Sequence, residues 1–169
     1  GLDIDYRVTA LPEVDESYPD TLSGEEIPLY ISQEKAAAYR RFMKDNTLLI
    51  TADTIVWLDG KVYGKPHDIA DAKAMLQALS GKTHTVITGV TLTSLQKQIS
   101  FAVSTEVTFT ALDDEEIDYY VEKYRPLDKA GAYGVQEWIG YIGVTGLKGS
   151  YYNVMGLPIQ RLYTELKKF

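Results

Sequence analysis

Cysteine is absent from the 169 residues, which excludes a disulfide scaffold, a thiolate nucleophile and a cysteine-based zinc site. Histidine is nearly as scarce. His67 and His84 are the only two, and their spacing is not that of metal ligands, so both read as structural or surface residues. No apolar run approaches the roughly 18 residues that span a bilayer, and no secretory leader pattern opens the chain. The expectation is a soluble, cytoplasmic protein that does not engage membranes. Basic charge is in deficit, with 17 Lys and Arg against 24 Asp and Glu, a net charge of −7. That excludes the basic face of a nucleic-acid polymer binder. It leaves room for a small polyanion, because a local lysine cluster or a bound metal reverses the local field. Internal repeats, low-complexity tracts and linkers are missing too. What remains is 45% apolar and 24% charged, an ordinary globular composition at a length suited to one domain.

Strand-like and helix-like stretches alternate, which predicts a mixed α/β fold. Residues 6–10 read as a short strand and residues 13–26, with Pro19 among several acids, as a loop that Pro12 introduces. Ile27, Ile31, Ala38 and Phe42 fall at helical spacing, predicting an amphipathic helix over 27–44. A buried strand begins at Leu48, and residues 55–63 read as a hairpin because Asp59-Gly60 suits a type I′ turn. Asp68 is placed to cap a helix through Leu79, and Asp113 with Glu116 forms a capping box for a helix to about Lys123. Between them, residues 83–94 and 99–110 predict a long antiparallel pair. Residues 128–136 read as a Gly-bearing loop and residues 138–144 as a weak alternation. Gly156-Leu157-Pro158 leads into a last helix.

Three stretches offer chemistry. In LLITADT, an apolar strand is predicted to end at Asp53-Thr54, the place where α/β sheets set ligands. A carboxylate there needs a cation, a metal or donors. A strand-ending Asp that caps a turn explains the same residues. Lys65, between Gly64 and Pro66, suits a phosphate oxygen or equally a solvated turn; the Gly-rich spacing of a P-loop is absent. In LDKAGAYGVQ, small residues allow close approach to a ligand, Asp128 and Lys129 bring opposite charges, and Gln136 carries a donor and an acceptor for a base edge. A turn with a surface ion pair is the plainer alternative. Asp15-Glu16 is an acid pair able to hold Mg²⁺, or a solvated loop. Lys35 faces either a site or solvent. Ser80 has no partnered base, so a serine-hydrolase triad is unsupported.

Taken in order, ADTIVWLDGKVYGKP, MLQALSGKTHTVITGVTL, STEVTF, PLDKAGAYGVQ and GSYYNVMGLP resemble the Maf family of nucleoside triphosphate pyrophosphatases, also called septum-formation proteins. The likeness runs over essentially the whole chain. It implies an elongated twisted mixed sheet flanked by helices, with two lobes and a central cleft. It implies hydrolysis of a nucleoside triphosphate to the monophosphate and pyrophosphate with a divalent metal, Mg²⁺ or Mn²⁺. By position, Asp53 matches the family's proton acceptor, Lys65 the lysine of its Lys-Pro motif and Lys35 its Glu-Lys-Ala lysine. Glu16 matches its early acid, a metal ligand together with Asp53. Asp128 and Lys129 match its Asp-Lys-Ala-Gly motif, and Thr54 and Gln136 stand where base preference is set. Thr after the catalytic Asp and Gln after Gly-Val resemble the branch acting on dTTP and UTP; the sister branch, acting on 7-methyl-GTP, usually carries Asp-Gln.

The family also carries a first strand and a Ser-x-Ser-Pro-Arg-Arg loop, and residues 1–6 match the segment that follows them. The expectation is therefore one Maf-like domain over 1–169 without that strand and loop. Homodimers are common in the family, so the resemblance admits a homodimer here, while the sequence itself leaves the oligomeric state open. The implied chemistry is coherent: lysines and a metal neutralise a triphosphate, Asp53 takes a proton from water, and Gln136 pairs with pyrimidine O4 and N3–H. Two other readings stay open at this point: a nucleotide-binding regulator of septum formation, and the same chemistry on a modified nucleotide such as 7-methyl-GTP.

Overall fold

Long β-branched runs build the centre of the protein. The computed structural model describes residues 1–10 and 14–169, so Pro12 and Glu13 of the expected acidic loop lie outside the described residues. Strands β1 (Leu49–Leu58), β2 (Lys61–Tyr63), β3 (Thr83–Thr93), β4 (Gln98–Phe109) and β5 (Val144–Lys148) form a sheet in the order β2-β1-β3-β4-β5. Every neighbouring pair is antiparallel. The helices are α1 (Glu26–Tyr39), α2 (Ile69–Leu79), α3 (Asp114–Tyr124), α4 (Trp138–Gly143), α5 (Tyr151–Val154) and α6 (Ile159–Lys168). The mixed α/β expectation holds. Among the described residues no helix is long and apolar enough to cross a membrane.

Strand periodicity sorts the side chains. Ile55 and Ile87 meet Ile27 and Ile31 of α1 on one face. Val56, Val86, Val107 and Phe109 meet Leu76 and Leu79 of α2 and Ile117, Tyr120 and Val121 of α3 on the other. Farther along that second face, Val90, Leu92 and Phe101 cover Leu162 of α6. α1 comes very close to the sheet because β3 has glycine at its crossing point: a Cβ on Gly89 would collide with the Pro28 carbonyl. β2 pairs only with Val56–Leu58, so among the described residues the upstream part of β1 has β3 as its one strand neighbour.

The cap and turn signals hold. Asp68 accepts from the Asp71 amide, Asp113 and Glu116 form a reciprocal capping box, and Asp59 and Gly60 both have positive φ (51° and 76°). Four expectations need correction. Residues 6–10 form no strand; Tyr6 and Val8 are more than 80% exposed, with no partner among the described residues to bury them. The first helix ends at Tyr39 and tightens into a 3-10 turn at Arg40–Phe42, which leaves Phe42 in solvent. Asp53-Thr54 stands inside β1, because the β-branched run continues through Ile55 and Val56. Residues 138–143 are helical, with Gly140 pressed against the Val135 carbonyl.

His84 lies in the apolar core, 1% exposed, with Nε2 2.6 Å from the Tyr133 hydroxyl and, among the described residues, no partner at Nδ1. Burial lowers its pKa to about 4. The unfolded chain therefore takes up this proton near pH 6.5, before the folded protein does. Stability from neutral His84 is complete above pH 6.5 and is lost as pH falls towards 4. The loss is about 3 kcal/mol at 1.36 kcal/mol per pH unit. Urea titrations of His84→Gln should show a correspondingly smaller decline between pH 7 and pH 4.

Candidate active site

β1 contributes to the site from both of its faces. Asp53 projects towards α1, and Thr54 and Val56 project to the opposite side. With no strand covering this edge among the described residues, a cavity of about 300 Å³ is lined by residues of both faces. Asp53, Lys35 and Lys65 supply charge, as do Asp128 and Lys129 from the loop after α3. Thr54, Val56, Val86, Tyr133, Val154, Met155 and Gly156 give a largely neutral lining, and Gln136 joins them from the loop.

The charged side is organised around one ammonium. Lys35, on α1, donates to Asp53 Oδ1 at 3.0 Å and to the Ala52 carbonyl at 3.2 Å, and lies 3.2 Å from Glu16 Oε1. Lys65 stands 3.6 Å from Glu16 Oε2. Burial is the largest influence on Asp53 and pushes its pKa up; Glu16 adds repulsion, and Lys35 only partly offsets both. For Lys35, burial acts to lower the pKa, but the Asp53 and Glu16 carboxylates outweigh it and the net direction is up. One cation thus serves two anions, so the lysine is held charged while the more deeply buried carboxyl binds its proton more readily than usual.

Local sequence explains the loop opposite. Gly131 has φ +69°, and a Cβ there would sit 2.7 Å from Val56 Cγ2, so the chain can lie against β1 only with glycine. Its amide donates to the Gly64 carbonyl, which ties the loop to the Lys65 segment. Lys129 is flanked by Asp128 at 3.8 Å and Glu137 at 3.9 Å. Asp128 is 80% exposed at its side chain, and Gln136 is exposed at the rim.

All eight residues singled out in the sequence come to this region: Glu16, Lys35, Asp53 and Lys65 as an ionic cluster, and Thr54, Asp128, Lys129 and Gln136 around the cavity. Sequence reasoning missed Glu137, which accepts from the Tyr120 hydroxyl at 2.9 Å and faces Lys129. Its position directly after Gln136 was the available signal. The wall formed by residues 154–156 was missed as well. The Ser150-x-x-Asn153 spacing, in which the Ser150 hydroxyl accepts from the Asn153 amide, marks the short helix that carries it.

A divalent cation can be tested against the donor set. Among the described residues no three His, Asp or Glu side chains gather as a metal cage. Glu16 and Asp53 nevertheless converge on one positive charge, and both are hard oxygen donors. Mg²⁺ commonly takes one or two carboxylates and completes its shell with substrate phosphates and water, so the residues present fit it.

Residues 2–169 match the model of the family described as Maf-like protein. The chain is 67% identical over 168 residues to a protein of Phocaeicola vulgatus named dTTP/UTP pyrophosphatase, covering 99% of this chain and 87% of that protein. It is 64% identical over the same length, with the same coverage, to the Bacteroides thetaiotaomicron protein of that name. A Flavobacterium psychrophilum protein, also so named, is 48% identical over 166 residues, covering 98% of this chain and 85% of the relative.

Proposed function

The chain belongs to the Maf family, and from that premise we propose how its cavity performs the reaction: hydrolysis of dTTP and UTP to the monophosphate and pyrophosphate. The observation that carries the proposal is the Lys35-Asp53-Glu16-Lys65 cluster bordering a neutral cavity. A triphosphate needs charge neutralisation and alignment more than covalent help. Lys35, Lys65 and Lys129 meet its oxygens and the charge that develops on the leaving pyrophosphate. Asp53 accepts a proton from water as the water oxygen bonds the α-phosphorus and the bond from that phosphorus to the bridging oxygen breaks. Its upward-shifted pKa suits a base better than an ordinary exposed carboxylate does. Glu16 and Asp53 would hold Mg²⁺ or Mn²⁺, which when bound neutralises phosphate charge. Thr54 and Gln136 face the base, and the nucleotide substrate makes the cytoplasm the place of action.

The test is direct. Full-length protein with Mg²⁺ or Mn²⁺ is supplied with UTP, dTTP, CTP, GTP, ATP and 7-methyl-GTP, and pyrophosphate and monophosphate are measured. UTP and dTTP should be turned over best, and chelation should stop the reaction. No pyrophosphate from any nucleotide removes the proposal, and a preference for 7-methyl-GTP moves it to a modified substrate.

A further inference from the structure

A threonine hydroxyl can both donate and accept, so Thr54 alone does not say which base it selects. Its surroundings do. Thr54 Oγ1 lies 2.8 Å from Thr88 Oγ1 on β3 and 3.4 Å from the Gly156 carbonyl. Thr88, fully buried, also lies 3.3 Å from the Asn153 carbonyl. Two oxygens at 2.8 Å need one proton between them, because facing lone pairs would repel. Either Thr54 donates to Thr88 and Thr88 to Asn153, or Thr88 donates to Thr54 and Thr54 to Gly156. In both arrangements the Thr54 proton points into the protein and a lone pair is left for the cavity. Turning that proton to a ligand would take the hydroxyl donor from the Gly156 carbonyl and leave the Asn153 carbonyl only the Gly156 amide, so the two internal arrangements keep one more hydrogen bond within the wall.

The carbonyls are held where this requires. Asn153 is fully buried, and its amide nitrogen reaches the Val86 carbonyl (3.3 Å), the Val103 carbonyl (3.0 Å) and Thr105 Oγ1 (3.0 Å). That clamps α5, and the Gly156 carbonyl after it, onto β3 and β4.

We propose that Thr88 is a specificity-positioning residue: it keeps the Thr54 hydroxyl an acceptor towards the cavity, so the site takes a pyrimidine whose N3 carries a proton and rejects one whose N3 is a lone pair. Uracil and thymine belong to the first class and cytosine to the second. Gln136 then needs only to donate to O4, a division of labour that differs from the sequence reading, which gave it both contacts. This inference rests on the nucleotide reading of the cavity.

Calorimetric titration of UTP and CTP into Asp53→Asn protein reads the site without turnover. Adding Thr88→Val, which keeps shape and removes the hydroxyl, should lower the UTP-to-CTP affinity ratio about tenfold, one hydrogen bond's discrimination. Thr88→Ser should keep the ratio within about twofold. A ratio unchanged in Thr88→Val, or lost equally in Thr88→Ser, overturns the proposal; a purely structural role would weaken both nucleotides alike and also overturns it. Should Thr88→Val not fold, 3-methyl-UTP, which lacks N3–H, decides on otherwise unaltered protein: binding equal to UTP overturns the proposal. Pyrophosphate release from UTP by wild-type protein is scored separately, so failure of the hydrolytic reading is distinguishable from failure of this one.

Discussion

Asp53→Asn should reduce pyrophosphate release from UTP by about a thousandfold or more while the protein melts at or slightly above the wild-type temperature. The activity loss follows from the proposed base, since an amide has no proton affinity to offer water. The thermal result follows from the pKa direction. Asp53 is pushed up by burial first and by Glu16 second. An acid whose folded-state pKa lies above its unfolded value stabilises the fold only while protonated, below the unfolded value near 4. That contribution disappears as pH rises, so at pH 7 the ionised group is a liability. Asparagine keeps an oxygen for Lys35, which also retains the Ala52 carbonyl and Glu16. Differential scanning fluorimetry beside a pyrophosphate assay reads both effects. A strongly lowered melting temperature would show that Asp53 is a structural counter-ion and would void its assignment as base. Unchanged turnover would remove it from the chemistry.

The elements that sequence disclosed are those whose signal is local. Asp113 and Glu116 satisfy one another within a single turn, and Asp59-Gly60 carries the backbone conformation its hairpin needs. What it hid depends on partners distant in the chain. Residues 6–10 alternate like a strand but find no neighbour among the described residues to bury Tyr6 and Val8. Asp53 reads in sequence as the end of an apolar strand, where a carboxylate needs a cation, a metal or donors. It is tolerated mid-strand because α1 brings Lys35 alongside it. The site residues were legible mainly through the spacing of family motifs. Neither the hydroxyl relay from Thr54 to Thr88 nor the Asn153 clamp could be read that way. Those residues look like ordinary strand and loop members until the register sets Thr54 opposite Thr88.

Lys35→Met should be the more destabilising variant, because it strips the cluster of the cation that both carboxylates share. Asp53 and Lys35 expose only 10% and 20% of their side chains, whereas Glu16 exposes 41%. Removing one partner of a buried pair leaves an uncompensated charge at a cost of about 3–5 kcal/mol; with solvent reaching Glu16, about 2–3 kcal/mol is expected at pH 7. Activity should fall by at least about a hundredfold, the usual result of deleting one group that stabilises transition-state charge. The pH dependence identifies the cause. Without Lys35 the buried Asp53 carboxyl loses the ammonium that favours its charged form, so the deficit relative to wild type should shrink as acid neutralises it. At the alkaline end the wild type should converge on the variant. A lysine whose folded pKa is raised gives its full contribution below the unfolded value near 10.4 and loses it as pH rises through the folded value. Denaturant titrations across pH measure both limbs. The Lys35→Met/Asp53→Asn double variant should regain most of the lost stability at pH 7 but none of the activity, because the isolated negative charge is gone while the base and its cation are both missing. A double variant no more stable than Lys35→Met would mean that the lysine stem's packing, and not its charge, holds α1 against β1.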